Sequence, residues 1–381
     1  MRILLVTFSN ILPYALTQVL NPANEYCAIV VDDPLQSKKM LEKAPQLREK
    51  IFPFYELKHC IEKFYFDLLL YINMPGIGGV EQQLRNYGVP AEKFFHLHLT
   101  NDRENCFLLE RALRYYKEHS TEYEIFATGL SYVRDAIDVT KFKKKTFNFG
   151  IGSQELYYDY KIAKFVLEVC GGGYIKYVLI GLAPYSFHYN QSKSSMVKWR
   201  TIQYFIALND LHNFSFTAEE CRKMFREEFL NIKLPLDQVN PNNIFNYSIS
   251  QKTMTINDKI NAWEVISRWE KKNYPETVKE NAKILDDYLT LCENNNICPI
   301  MFLPPMTEGY IKYFSRKKLD EFYYLISEAQ KKHTSALFLD GWKLEGFSDT
   351  DFSDSSHMNL NGAAKFSMIL NNFIENLERM R

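Results

Sequence analysis

The sequence predicts a two-domain α/β protein built on parallel sheets, and three observations carry that expectation. Short, almost uninterrupted apolar runs rich in β-branched residues recur along the chain, the pattern of strands buried on both faces. Helical patterns separate most of these runs, as parallel connections require. The chain has 381 residues, and at roughly 150 residues per domain two cores are expected.

The expected first domain covers 1–120. Its strands are 2–8, 27–31, 67–72 and 93–97, with helical stretches at 14–20, 35–47 and 80–87. Alternating units of this kind give a small parallel sheet covered by helices. A helix at 104–116 and a charged stretch at 117–124 lead into the expected second domain, 121–381. Strands are expected there at 125–127, 146–149 and 177–180, with a helix at 156–169 closed by Gly171-Gly172-Gly173. From about 191 to 294 the chain turns polar-aromatic and mostly helical, for instance at 217–230 and 276–292, with a loop-rich middle at 235–246. This stretch is read as an insertion. Strand 300–303, helix 317–331 and strand 336–339 resume the α/β pattern. The last helix, 362–377, carries Phe366, Ile369, Phe373 and Leu377 on one face.

Composition narrows the function classes. Lys+Arg and Asp+Glu number 46 each, so there is no basic excess of the kind that nucleic-acid binding draws on. Hydrophobic residues at 46% and charged residues at 24% are ordinary for a folded protein. No run reaches the roughly 18 apolar residues of a membrane span, and the N-terminal strand lacks a signal-peptide cleavage pattern. The seven cysteines are scattered without a C-x-x-C pair, which points away from zinc knuckles and disulfide frameworks and toward a reducing, cytoplasmic setting. No cofactor motif is complete: Pro75-Gly76-Ile77-Gly78-Gly79 departs from G-x-G-x-x-G and reads foremost as a turn. His96 and His98 share a strand face without an accompanying carboxylate or cysteine cluster. Lys141, Lys143, Lys144 and Lys145 read as a solvated loop.

Three places in the second half carry chemistry when taken together. Thr128-Gly129-Leu130-Ser131 lies between a strand and a helix, where a serine is exposed beside helix-terminal N–H groups; on its own, such a serine more often caps a helix. Phe352-Ser353-Asp354-Ser355-Ser356-His357 precedes the final helix. Asp three residues before His lets the carboxylate hold one imidazole nitrogen while the other takes a proton from a hydroxyl. Asn361 is the expected N-cap that fixes this loop. Asn148-Phe149-Gly150-Ile151-Gly152-Ser153 is a strand end whose glycines allow close backbone approach.

In this order the three places resemble the SGNH (GDSL-like) hydrolase superfamily. The likeness is to its divergent branch of teichoic acid D-alanine-transfer proteins and polysaccharide O-acetyltransferases. The resemblance covers about 122–381 outside the helical insertion and implies a three-layer parallel-sheet domain. It implies Ser131 as nucleophile, His357 as base, Asp354 as the acid that orients it, and Gly150 as an oxyanion donor. Leu130 stands where the superfamily has Asp, and 181–186 lacks the superfamily's third-block Asn. Ser186 or Asn190 is then the expected substitute donor. The implied activity is a serine esterase or O-acyltransferase on a carbohydrate or glycoconjugate ester, with a non-catalytic binding or scaffold protein of polysaccharide assembly as the alternative. Tyr157, Tyr158, Tyr160, Tyr185, Phe187 and Tyr189 offer rings for stacking on sugars, although core packing is their commoner use. The first domain loosely resembles the Rossmann-like modules of some surface-polysaccharide enzymes.

Overall fold

The computed structural model describes residues 2–380 except 17–19, 21–23, 42–44, 74–83, 85, 91–92, 99–107, 170, 195–200, 214–240 and 243–248. The expectations at 75–79, 80–83, 217–230 and 235–240 therefore lie outside the described residues, as do the side chains of His96 and His98. The chain divides into two compact units, Met1–Arg111 with Ile202–Leu236, and Ala112–Thr201 with Asp237–Arg381. The stretch read as one insertion is thus shared: Leu211 packs against the first unit's core, whereas the helices Ile256–Glu270 and Pro275–Asn294 belong to the second.

The first unit carries strands β1 (Arg2–Val6), β2 (Glu25–Val31), β3 (Ile51–Pro53), β4 (Leu68–Asn73) and β5 (Phe94–His98). They form one sheet in the order β3-β2-β1-β4-β5, and every pairing is parallel. This 3-2-1-4-5 order is that of a Rossmann-type doubly wound sheet without its sixth strand. The expected helix at 35–47 is instead two pieces, Pro34–Met40 and Pro45–Arg48. Pro45 cannot continue a helix from upstream because it lacks the N–H and disfavours helical geometry in the residue before it.

The second unit carries β6 (Ile125–Thr128), β7 (Thr146–Asn148), β8 (Tyr177–Gly181), β9 (Cys298–Leu303) and β10 (Leu337–Asp340) in the order β10-β9-β8-β6-β7. All four pairings are parallel. Counted from β6 this is the 2-1-3-4-5 order of a doubly wound sheet, whose connections change direction between β6 and β8. Alternate side chains face opposite layers. Ile125 and Ala127 pack with Val133, Phe366, Leu370 and Ile374 on one face, and Thr128 meets Tyr288 of the helix Pro275–Asn294 on the other, hydroxyl to hydroxyl at 3.0 Å. Helices thus cover both faces. The last helix runs Leu360–Met380 and buries Phe366, Leu370 and Ile374, with Phe373 and Leu377 at the margin; its core stripe sits slightly round from the expected one. None of the helices among the described residues is long and apolar enough to cross a membrane.

Candidate active site

Ser131 stands where β6 turns into the helix Ser131–Ala136. The turn needs glycine: Gly129 has φ 147°, and a Cβ there would lie 2.3 Å from Val133 Cγ2 and 2.7 Å from the Gly181 carbonyl oxygen. Leu130 takes the N-cap position without a side-chain bond, and Ser131 is the first helical residue rather than the cap. Its hydroxyl is therefore free of capping duty, and its own amide is one of the first-turn N–H groups that no intrahelical carbonyl can satisfy. Both sit at the carboxyl edge of the sheet beside the β6/β8 switch, the position such sheets offer to ligands.

The loop before the last helix is closed by an antiparallel bridge between Phe352 and Met358 and by the Ser353 amide donating to the His357 carbonyl at 2.8 Å. Thr307 Oγ1 donates to the Ser355 carbonyl at 2.8 Å. The helix is capped by Asn359, not by the expected Asn361: Asn359 Oδ1 accepts from the amides of Asn361 and Gly362 at 3.0 and 3.2 Å. Its Nδ2 donates to the Thr350 carbonyl at 2.7 Å, so one buried side chain ties the helix start to the segment that leads into the loop. Asn361, one residue inside the helix, lies beyond the cap.

These two segments bring together three residues distant in sequence. Ser131 Oγ lies 2.8 Å from His357 Nε2. His357 Nδ1 lies 2.8 and 3.0 Å from the two Asp354 oxygens. A carboxylate only accepts, so Nδ1 carries the proton and Nε2 presents its lone pair to the serine. Asp354 Oδ1 also accepts from the backbone amides of Ser356 and His357 at 2.8 and 2.9 Å. Burial by itself would raise the Asp354 carboxyl, but the His357 charge and hydrogen bond, with those two amides, outweigh it and hold the group far below the usual carboxylate range. Burial would likewise lower His357, yet Asp354 outweighs it and the imidazole is raised, with Asp135 adding to the effect and Arg134 opposing it.

A cavity of about 350 Å³ opens on this set. The helix Ile256–Glu270 contributes Asp258, Asn261, Val265 and Trp269 to its wall, and Ser153, Tyr185 and Tyr189 complete it. Ser153 is a non-glycine residue at φ 61°, a backbone conformation that L side chains adopt at a cost. The Tyr189 hydroxyl donates to its carbonyl at 3.0 Å, and Gln191 Nε2 donates there too. Tyr185 stacks on Trp269 with ring centroids 3.7 Å apart and planes 2° off parallel. The Lys272 ammonium lies over the same ring at 4.0 Å, necessarily on the opposite face. Both faces of Trp269 are thus occupied, and Tyr158, Tyr185, Phe187 and Tyr189 are buried. Tyr158 and Phe187 pack in the core, while Tyr185 and Tyr189 also face the cavity.

None of the three residues expected to supply oxyanion donors lines the cavity. The Gly150 amide donates to Asn148 Oδ1 at 2.8 Å, and a Cβ on Gly150 would lie 2.4 Å from the Arg134 amide nitrogen. Its glycine character serves the close approach of strand end to helix. Ser186 Oγ accepts from the Ala183 amide at 2.9 Å. Asn190 Oδ1 accepts from the amide and hydroxyl of Ser192, closing a turn. The stretch 186–189 is in turn pinned by Asn281 Nδ2, which donates to the carbonyls of Ser186, Phe187 and Tyr189.

Sequence reasoning missed the cavity wall from Ile256–Glu270. Its signal was the spacing of 258, 261, 265 and 269, one face of a helix. It also missed Tyr132, which lines the cavity and for which no local pattern exists. The lysines at 141–145 meet carboxylates: Lys143 pairs with Glu375 at 2.8 Å and Lys144 with Glu378 at 3.0 Å. Among the described residues there is no group of three or more His, Cys, Asp or Glu side chains able to hold a metal ion. The chain matches no model of a known protein family, and no curated protein matches it significantly.

Proposed function

We propose that this protein is a serine-dependent esterase or O-acyltransferase of SGNH type, with Ser131 as nucleophile, His357 as general base and acid, and Asp354 as the group that orients the imidazole. The observation that carries this reading is the unbroken line from Ser131 Oγ through the two ring nitrogens to the Asp354 carboxylate, at 2.8 Å on either side of the ring. Serine at its ordinary pKa is a poor nucleophile and needs a base in reach together with a group that fixes that base. In the proposed reaction Nε2 takes the hydroxyl proton as Oγ bonds to an ester carbonyl carbon. The tetrahedral oxyanion collapses, the alcohol departs with the proton from Nε2, and an acyl-serine remains. Water or an acceptor hydroxyl then repeats the steps in reverse. The developing oxyanion would be held by the Ser131 amide, a first-turn N–H of the helix Ser131–Ala136. The order of the second sheet and the covered faces agree with the three-layer domain implied by the resemblance, and the carbohydrate character of the ester rests on that resemblance.

A fluorophosphonate probe tests the reading. Stoichiometric labelling of Ser131, lost in Ser131→Ala, together with nitrophenol release from a short-chain nitrophenyl ester, is the expected result. The second reading, a binding module without turnover, is favoured by one observation: the Gly150 amide is spent on Asn148 and none of Gly150, Ser186 and Asn190 lines the cavity, and losing one oxyanion donor costs about 100- to 1000-fold in rate. Folded protein that stays unlabelled would decide for it.

A further inference from the structure

Ser153 shares the cavity with Ser131 and His357, and the backbone shows what brings it there. Beyond the last rungs of the β6/β7 ladder the two chains stay in step. The Phe149 amide donates to the Ala127 carbonyl at 2.8 Å, and the Ile151 amide to the Gly129 carbonyl at 3.0 Å. Two residues further along each chain stand Ser153 and Ser131. The Gln154 amide then donates to the Ile151 carbonyl at 3.0 Å, which makes Ile151–Gln154 a β-turn with Gly152 and Ser153 at its centre. Ser153, with φ 61°, occupies the third position, where a turn with positive φ calls for glycine or asparagine. Its carbonyl is held by the Tyr189 hydroxyl at 3.0 Å and by Gln191 Nε2. The Gln191 amide is fixed in turn by Glu155 Oε2 at 2.6 Å.

We propose that the Ser153 hydroxyl is a catalytic residue that donates a hydrogen bond to the substrate's carbonyl oxygen as negative charge develops there, beside the Ser131 amide. The assignment rests on the acyl-transfer reading above and supplies a second donor in place of Gly150, Ser186 and Asn190. A serine kept at a left-handed position in a cavity wall is strained where glycine would not be, and what glycine lacks is the hydroxyl. Other cavity hydroxyls are committed: Tyr185 donates to Tyr132 at 2.9 Å, Tyr189 to the Ser153 carbonyl, and Ser356 Oγ lies 3.1 Å from the Asp354 carboxylate, which only accepts. Asn261 and Ser355 also line the cavity, but the β6/β7 ladder brings neither alongside Ser131. As Ser131 Oγ bonds to the carbonyl carbon, the π pair of the C=O moves onto oxygen. The Ser153 O–H points at that oxygen and keeps its proton throughout. On collapse the pair returns and the alcohol leaves with the proton from His357. Because the turn is clamped through its carbonyl before substrate arrives, the donor needs no reorganisation during the reaction.

The test compares full-length wild type with Ser153→Gly and Ser153→Asn. Three measurements are made on each: steady-state hydrolysis of a short-chain nitrophenyl ester, the rate of fluorophosphonate labelling, and thermal melting. Ser153→Gly keeps the backbone, relieves the positive φ and removes the hydroxyl. Its kcat is expected to fall about 100-fold with KM little changed, the mark of an interaction made only in the transition state. Its melting temperature should stay at or near the wild-type value, because the relieved strain offsets the greater freedom of the unfolded chain. Asparagine tolerates the left-handed backbone and carries an N–H donor, so Ser153→Asn should recover part of the lost kcat. Ser153→Gly with the wild-type kcat overturns the assignment, and so does a kcat that falls only together with the melting temperature, which makes Ser153 a structural residue. Ser153→Asn no faster than Ser153→Gly also overturns it. Wild type that neither labels nor turns over overturns the acyl-transfer reading, and the donor role with it.

Discussion

Gly129 sets what the backbone under Ser131 must be. An alanine there meets both a forbidding φ and two atoms inside contact distance. Gly129→Ala is expected to destabilise the protein by about 2–4 kcal/mol and to abolish probe labelling, read by denaturant unfolding and mass spectrometry. On the proposed chemistry, Asp354→Asn leaves a folded protein whose ester turnover drops about 10⁴-fold, because the amide can leave the imidazole in the wrong tautomer. The base works only when neutral. With His357 raised in the folded protein, turnover should climb with pH through a midpoint above the ordinary histidine value of about 6.5, and a midpoint at or below it contradicts the geometry. Ser131, Asp354 and His357 were all legible, because each sits at a strand or helix boundary whose local pattern is short-range. The oxyanion assignments were not. Whether the amide of Gly150 faces a cavity or Asn148 depends on a side-chain bond two residues away that spacing does not encode.

At the scale of elements, the start of the last helix positions the triad loop. Asn359 makes bonds in both directions, to the helix amides and to Thr350. Asn359→Ala should therefore cost about 1–2 kcal/mol or more and lower the melting temperature, while Asn361→Ala should stay within about 0.5 kcal/mol. Equal effects would show that the cap is shared. The sequence offered two asparagines two residues apart, and only the position of the first helical turn separates them. Strands β6, β8 and β9 were readable because each is a continuous apolar run. Strand β3 was missed, being three residues long and ending in proline. The unbroken helix expected at 35–47 overlooked how firmly Pro45 stops one.

For the whole molecule, two units with separate buried cores should not melt as one cooperative block. Calorimetry is expected to give a calorimetric enthalpy larger than the van't Hoff value, and equality of the two would contradict the division. Carboxylates held low by partners are spread across both units. Asp32 is lowered by its Ser9 bonds against the opposing effect of burial, and Asp286 by its bonds to Lys332 and His333. A lowered folded pKa contributes stability above the unfolded value of about 3.9 that is lost as pH falls through the folded one. Asp354 acts in the same sense. His357, being raised, contributes below its unfolded value and loses that contribution as pH rises. The melting temperature should therefore fall steeply below about pH 4, and a flat profile there would contradict the partnered carboxylates. The two-core layout was visible from length and alternation, whereas the crossing of Ile202–Leu236 to the first unit was not, because helical periodicity does not say which core a helix faces.

Ser131 and His357 are 226 residues apart along the chain and share one hydrogen bond. Closing so long a loop comes late when local helices and neighbouring strands can form first. After dilution from denaturant, ellipticity should recover ahead of the serine's appetite for an electrophile, and the lag between the two signals times the docking of the final helix.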